Sequence, residues 1–265
     1  MNKHSFISTA TTFVQLRGSD TVLLLIKPIA YQYMTDFPET GIPLMGGGTS
    51  RGYKTAIDGT TDIGMVSSAM NAELAKWASK QNIKIETTAI AFDALGVFVN
   101  LSKSLTNLTL TQLQEIYTGH ISDWKHLGLP EGPIQVYTQT PNSGSFETWR
   151  TVVMRGKDIT TPKAKVMDGV EIISAVINDP NGIGFTSPLN LLGLLGKRVK
   201  LLAIDDALPT PEAIFDASYP IRRSLSLITS HKKNSVMQAF IDYCLAADKG
   251  QAIIKKLGLV PAATR

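Results

Sequence analysis

The chain has 265 residues, 43% of them hydrophobic and 18% charged, with a formal net charge of +4. That length supports one large or two small domains with an ample apolar core, and the composition excludes a disordered chain. The charge favours anions mildly, and with no basic run or aromatic-basic stripe a nucleic-acid partner is not expected.

In chain order, strand-length apolar runs alternate with helical periodicities, which predicts an α/β fold with largely parallel sheets. Residues 13–17 read as a strand ending at the turn Gly18–Thr21. The following helix carries Val22, Leu25, Ile26, Ile29, Ala30 and Tyr33 on one face. Next come a strand near 42–45, a glycine-rich turn, and a helix from about 50 to 57. A short strand over 62–66 and a helix over 71–81 follow. The apolar run 89–100 suits a strand passing between two lobes, with a break at Asp93. A middle region then has helices over 110–118, 144–154 and 169–178, and strands over 134–137 and 183–186. Residues 205–219, with Pro209, Pro211 and several acids, read as a surface loop. The run 224–229 is a candidate return strand, and helices over about 233–246 and 249–257 close the chain.

Cys244 is the sole cysteine, so neither a disulfide framework nor a cysteine-based zinc site is expected. It sits in an apolar helical stretch, where a small buried hydrophobe is the expected role. Val22–Ile29 is interrupted by Lys27 and Pro28 and is far too short to span a bilayer. Residues 1–13 are polar and hold no h-region, which fits a cytoplasmic protein or a mature chain whose leader has been removed.

Three turns combine glycine with hydroxyl residues directly before a predicted helix: Gly18–Thr21, Gly46–Gly52 and Asn142–Ser145. Each offers backbone N–H groups, hydroxyl donors and the positive end of a helix dipole to one anion. Each alone also reads as an ordinary N-cap. Gly48–Gly52 further matches the G-x-S-x-G nucleophile elbow, with Ser50 as nucleophile and His120, His126 or His231 as base. No HGGG-type oxyanion loop accompanies it. The four histidines, with His4, are scattered and form no metal-ligand spacing, so neither metal nor cofactor is expected.

The order of these turns resembles the phosphate-binding proteins of ABC importers, in the type II periplasmic-binding-protein superfamily. Gly18–Val22 is similar to their G-S-x-T-V turn. Gly46–Lys54 with Asp58–Ser68 resembles G-G-G-S-S-x-G-x-K followed by G-x-x-D-I-G-x-A-S. Leu113–Gly128 is similar, almost residue for residue, to L-x-x-I-Y-x-G-K-I-T-N-W-x-x-L-G. Ser143–Trp149 resembles S-G-T-R-E-T-F, Gly182–Phe185 the I-G-Y strand, Tyr219–Arg223 the second crossover, and Leu257–Pro261 the closing helix. The likeness runs in order over about residues 13–262.

The resemblance implies a two-lobed α/β fold with a ligand cleft between lobes joined by two crossing strands. Residues 1–92 with 225–265 would form one lobe and 93–224 the other, with hinge crossings near 89–96 and 219–226. It implies an extracytoplasmic, periplasmic or extracellular receptor, monomeric by default. Such a receptor delivers phosphate or a related tetrahedral oxyanion to an ABC permease and is not an enzyme. A same-fold receptor for sensing, adhesion or another anion, and the Ser50 hydrolase, are the alternatives. Carried to matching positions, Ser19, Asp20 and Thr21 contact the anion from the first lobe, and Thr49 and Ser50 hold it at the next helix. Asp62 lines the floor, and it or Asp20 is the acceptor that favours a protonated oxyanion. Ser143, Gly144 and Ser145 close from the second lobe. The family's R-x-D-G before S-G-T is replaced here by residues 138–142, so Gln139 and Pro141 stand where an arginine and an aspartate are common. Candidates to supply the missing positive charge are Arg51 and, near the hinge, Arg222 and Arg223.

Overall fold

A computed structural model describes residues 11–191, 196–230 and 234–262; His4 and His231 lie outside them. The chain begins in the first lobe with β1 (Thr12–Phe13), β2 (Leu16–Gly18), α1 (Asp20–Asp36), β3 (Thr40–Gly41) and β4 (Leu44–Met45). It continues through α2 (Thr49–Ile57), β5 (Ile63–Val66), α3 (Ala72–Lys80) and β6 (Glu86–Ala94). The second lobe follows with β7 (Gly96–Asn100), β8 (Asn107–Leu108), α4 (Leu110–Thr118), β9 (Gln135–Thr138), α5 (Gly144–Val152) and β10 (Lys165–Val166). It is completed by α6 (Gly169–Asn178), β11 (Gly182–Thr186), β12 (Val199–Leu201), β13 (Ala203–Ile204) and α7 (Pro211–Phe215). The return is β14 (Arg222–Thr229), then α8 (Ser235–Leu245), α9 (Gly250–Lys256) and β15 (Val260–Pro261).

Two sheets organise these elements. The first has the order β15-β6-β14-β5-β2-β4, and the second β10-β9-β11-β7-β12. In the first, β2 pairs in parallel with β4 and β5, so α1 and α2 leave the same end of the sheet. Ligands of open α/β sheets gather at that carboxyl end. The face predicted for α1 is the buried one: Val22, Leu25, Ile26, Ile29, Ala30 and Tyr33 pack into a core with Leu16, Ile63 and Met65. Cys244 is fully buried in the same core, where burial pushes its thiol well above the usual range. The second lobe has its own core, in which Trp149 stacks on Phe185 at 3.9 Å with Tyr117 beside them.

Both crossings belong to one antiparallel ladder, in which β14 pairs with β6 from Arg222↔Ala94 to Thr229↔Glu86. The break in the apolar run falls at Leu95, not at the expected Asp93, which remains on β6 inside the first sheet. Ala94 and Arg222–Ser224, within the expected crossings, stay in the ladder of that sheet too. Leu95 N–H donates to Ile221 O at 2.9 Å, and the buried Tyr219 hydroxyl donates to Leu95 O at 2.7 Å. These bonds tie the two crossings together, and burial raises the Tyr219 phenol well beyond ordinary titration. Residues 205–219 are not all loop. Thr210 caps and Pro211 opens the short α7, which buries Ile214.

Candidate functional site

A cavity of about 660 Å³ lies between the two lobes. Four helices begin on it: α1, α2, α5 and, preceded by Asp168, α6. Ser19 caps α1, Gly48 precedes α2, and Ser143 caps α5 with its hydroxyl accepting from Phe146 N–H at 3.1 Å. First-turn amides have no intrahelical acceptor, so each start presents N–H groups and a positive dipole end to the cavity.

Hydroxyls converge between these starts. Ser19 Oγ donates to Ser67 Oγ at 2.9 Å, and Ser67 and Thr49 share a bond at 3.1 Å. Ser67 N–H also donates to Thr49 Oγ1 at 3.0 Å. Three hydroxyl hydrogens thus serve two bonds within the chain, leaving one for an acceptor in the cavity.

The charge comes from the crossing strands. Arg223 lies opposite Asp93 in the β14–β6 ladder, and its Nη2 and Nε donate to Asp93 Oδ2 at 3.0 and 3.3 Å. Ser187, from the second lobe, donates to the same oxygen at 2.9 Å. The guanidinium then fans outward. Nη1 donates to Ser145 Oγ at 2.9 Å and weakly to Ser67 Oγ at 3.5 Å, and Nη2 to Thr21 Oγ1 at 3.4 Å. Arg223 thereby joins hydroxyls of both lobes. Asp93 is 0% and Arg223 6% exposed, and Asp93 Oδ1 finds no hydrogen-bond partner among the described residues. A buried pair is a poor source of net stability, because desolvation offsets its attraction. Its position beneath the hydroxyls fits polarising donors for an anion.

The lobes touch at two glycines. Gly48 has φ +86°, and a Cβ there would meet Asn142 O at 2.7 Å; Ser50 N–H reaches that same carbonyl at 3.4 Å. A Cβ on Gly144 would lie 2.2 Å from Ser67 Oγ and 2.5 Å from Thr49 Oγ1. Glycine at 144 is what lets the α5 start seat against the first-lobe hydroxyls.

A sequence profile described as the PBP superfamily domain matches residues 7–248. The chain belongs to the PBP superfamily. Among its relatives, the phosphate-binding protein PstS of Staphylococcus haemolyticus is 28% identical over 246 residues, 89% of this chain and 77% of that protein. PstS of Bacillus subtilis is 23% identical over 256 residues, 95% and 81% of the two chains. A Clostridium perfringens protein assigned to phosphate ABC transport, solved with bound phosphate, superposes with a TM-score of 0.83 at 28% identity, covering 94% of this chain and 99% of that one. An ABC-type phosphate transport receptor from Vibrio cholerae gives 0.79 at 25% identity, with 94% and 99% covered. The fold is the two-lobed type II arrangement.

Within this PBP-superfamily cleft, Ser19, Asp20, Thr21, Thr49, Gln139, Ser143, Gly144 and Ser145 all line the cavity. Their roles differ. The Ser143 hydroxyl is engaged as a cap and donates to Gln139 Oε1 at 2.9 Å, while Gln139 Nε2 donates to Phe185 O at 3.3 Å. Asp20 is exposed at the mouth and accepts from Gly47 N–H at 3.2 Å.

Three expectations need correction. Asp62 sits at the amino end of β5, where its carboxylate accepts from Gln15 N–H at 2.8 Å. Ser67 follows the carboxyl end of that strand, roughly 15 Å away at the usual rise per residue. Asp62 is therefore a brace at the opposite end of the sheet's strands and not the cleft floor. Ser50 lines a small separate crevice with Tyr53, Pro141 and Glu147. Arg51 is exposed on α2 and lies against Gly47.

Sequence reasoning did not single out Ser67, Asp93 and Ser187 as site residues, and it named Arg223 only as one of several arginines. Asp93 left a signal: one acid in an otherwise apolar run, read as a break in the strand. Among the described residues the elbow at Ser50 gains no base, and His231 lies outside them. His120 is exposed and pairs with Thr118 at 2.8 Å, and His126 is exposed in the turn around buried Trp124. Among the described residues no group of three or more His, Cys, Asp or Glu could hold a metal ion.

Proposed function

We propose that this protein is the extracytoplasmic receptor of an ABC importer, capturing phosphate or a closely related tetrahedral oxyanion and releasing it unchanged. The observation that carries this reading is the convergence of hydroxyls from both lobes on Arg223, itself backed by buried Asp93. The anion would displace the Ser19–Ser67–Thr49 mutual bonds and take hydrogens from Thr21, Thr49, Ser67 and Ser145, together with first-turn amides of α1 and α5. The net-neutral Arg223–Asp93 pair supplies directed donors without a large standing charge. The names carried by the relatives and by the solved structures point to the same ligand.

In this reading the lobes are the two sheet-centred bodies, hinging at Leu95 and Ile221, and the receptor acts as a monomer that presents both lobes to a permease. It is a binding protein and not an enzyme, and its place is outside the cytoplasmic membrane. Titration calorimetry with inorganic phosphate, arsenate, sulfate and tungstate tests it. Phosphate should bind in the micromolar range or tighter, worth about 8 kcal/mol or more. No heat with any of the four anions would sink the reading.

A further inference from the structure

The cleft is larger than a bare oxyanion requires. Four oxygens, each taking the ~30 Å³ of a water molecule, fill on the order of 120 Å³, against the cavity's 660 Å³. The lobes meet where Gly48 faces Asn142 and Gly144 faces Ser67, and the remaining volume extends from there to the mouth. The volume lies within the range of sites for small organic molecules.

The two ends of the cavity differ in chemistry. The inner end holds the hydroxyls bonded to Arg223. The outer end has Leu24 on α1 and Val170 on α6, which come from opposite lobes and are 49% and 51% exposed. Asp20 and Asp168 stand at the same mouth, both exposed, with Asp168 in the capping box of α6. An apolar pair with two flanking carboxylates suits a carbon substituent that is neutral or cationic, and repels a second anionic group.

We infer that the cleft accepts small organic phosphates, monoesters or phosphonates, with the phosphoryl oxygens on the inner hydroxyls and the substituent between Leu24 and Val170. The inference rests on the oxyanion reading above. Its substituent is uncharged or carries an amine, because Asp20 and Asp168 border the space it fills.

Competition calorimetry with inorganic phosphate, glycerol phosphate, phosphoethanolamine and phosphoglycerate tests it on the full chain. The first two esters should bind within about tenfold of inorganic phosphate, and phosphoglycerate more weakly through its extra carboxylate. Val170→Trp, and separately Leu24→Trp on the other lobe, should fill the outer space. Each should weaken the esters about tenfold or more while inorganic phosphate stays within about twofold. Both positions are half exposed, so the two substitutions serve as independent checks on folding. Inorganic phosphate binding with esters unable to compete at large excess overturns the inference and leaves the oxyanion reading standing. Ester binding untouched by both tryptophans overturns it as well. If none of the four ligands binds, the oxyanion reading itself falls and this inference with it.

Discussion

The helix-entry turns and the crossing strands build the same cleft by different means. At the turns, a few consecutive residues both start the helix and face the cavity: Ser19 with Asp20 and Thr21, Gly48 with Thr49, and Ser143 with Gly144 and Ser145. At the crossings, the decisive pair is Asp93 with Arg223, 130 residues apart in sequence and joined only because β6 and β14 run side by side. The turns supply neutral donors that local geometry aims. The crossings supply charge-assisted donors from a net-neutral pair, and they supply them at the hinge, where both lobes can reach them. Donors and charge need not come from one motif. The loop at Gln139 and Pro141 carries no charged side chain, and in this chain the ion pair lies on the crossing strands.

The sharpest way to break this division of labour is Arg223→Met. It leaves Asp93 buried without its partner, and removing one member of a buried pair costs about 3–5 kcal/mol of stability. Phosphate affinity should fall at least ~100-fold, because Thr21, Ser67 and Ser145 all lose their common donor. The double variant Asp93→Leu with Arg223→Met separates the two effects. Thermal unfolding should return toward the parent, since an apolar pair replaces the ion pair. Calorimetry should show no recovery of anion binding. If affinity does recover, the crossing strands contribute scaffold only, and the turns alone hold the anion.

On the side of the turns, Gly144→Ala is the next largest. Its Cβ would fall 2.2 Å from Ser67 Oγ, so the lobes must part or the hydroxyl chain must shift. Overpacking of this kind costs about 1–3 kcal/mol, which should appear as weaker phosphate binding with little change in melting temperature. Unchanged affinity would mean that the contact between lobes at Gly144 is not used when the anion is held. Ser67→Ala is milder. One hydroxyl among several donors is worth about 1 kcal/mol, or roughly fivefold in affinity. A loss as large as that of Arg223→Met would shift the weight of the site from charge to hydroxyls.

The same contrast explains what could be read before the fold was seen. Periodicity placed the buried face of α1 to the residue, and α4 and α6 at their observed bounds, because amphipathic helices record their packing in sequence. The turns were legible because a glycine-hydroxyl run before a helix has few local conformations. Arg223 could not be told from Arg222 or Arg51 by sequence, since only the ladder register decides which side chain faces Asp93. Asp93 itself looked like an interruption, because an acid breaks an apolar pattern whether or not a cation stands opposite. Ser50 and Arg51 failed for a helical reason. Successive residues on α2 diverge by about 100°, so Thr49 facing the cavity turns its next two neighbours away.

Asp62 gives the smallest effect and the finest test. The sequence motif alone made it an acceptor for a protonated oxyanion, whereas the structure bonds it to Gln15 N–H at the opposite end of β5. An asparagine keeps a carbonyl oxygen there, so Asp62→Asn should cost less than about 1 kcal/mol in thermal unfolding. Phosphate-to-sulfate discrimination should stay within about twofold of the parent, because no cleft group moves or changes charge. Calorimetry with both anions on parent and variant decides it. A clear loss of discrimination would return Asp62 to the cleft and require β5 to sit in a different register against β2. Preserved discrimination, together with its loss in a variant of the Asp93–Arg223 pair, would assign anion choice to the crossing strands.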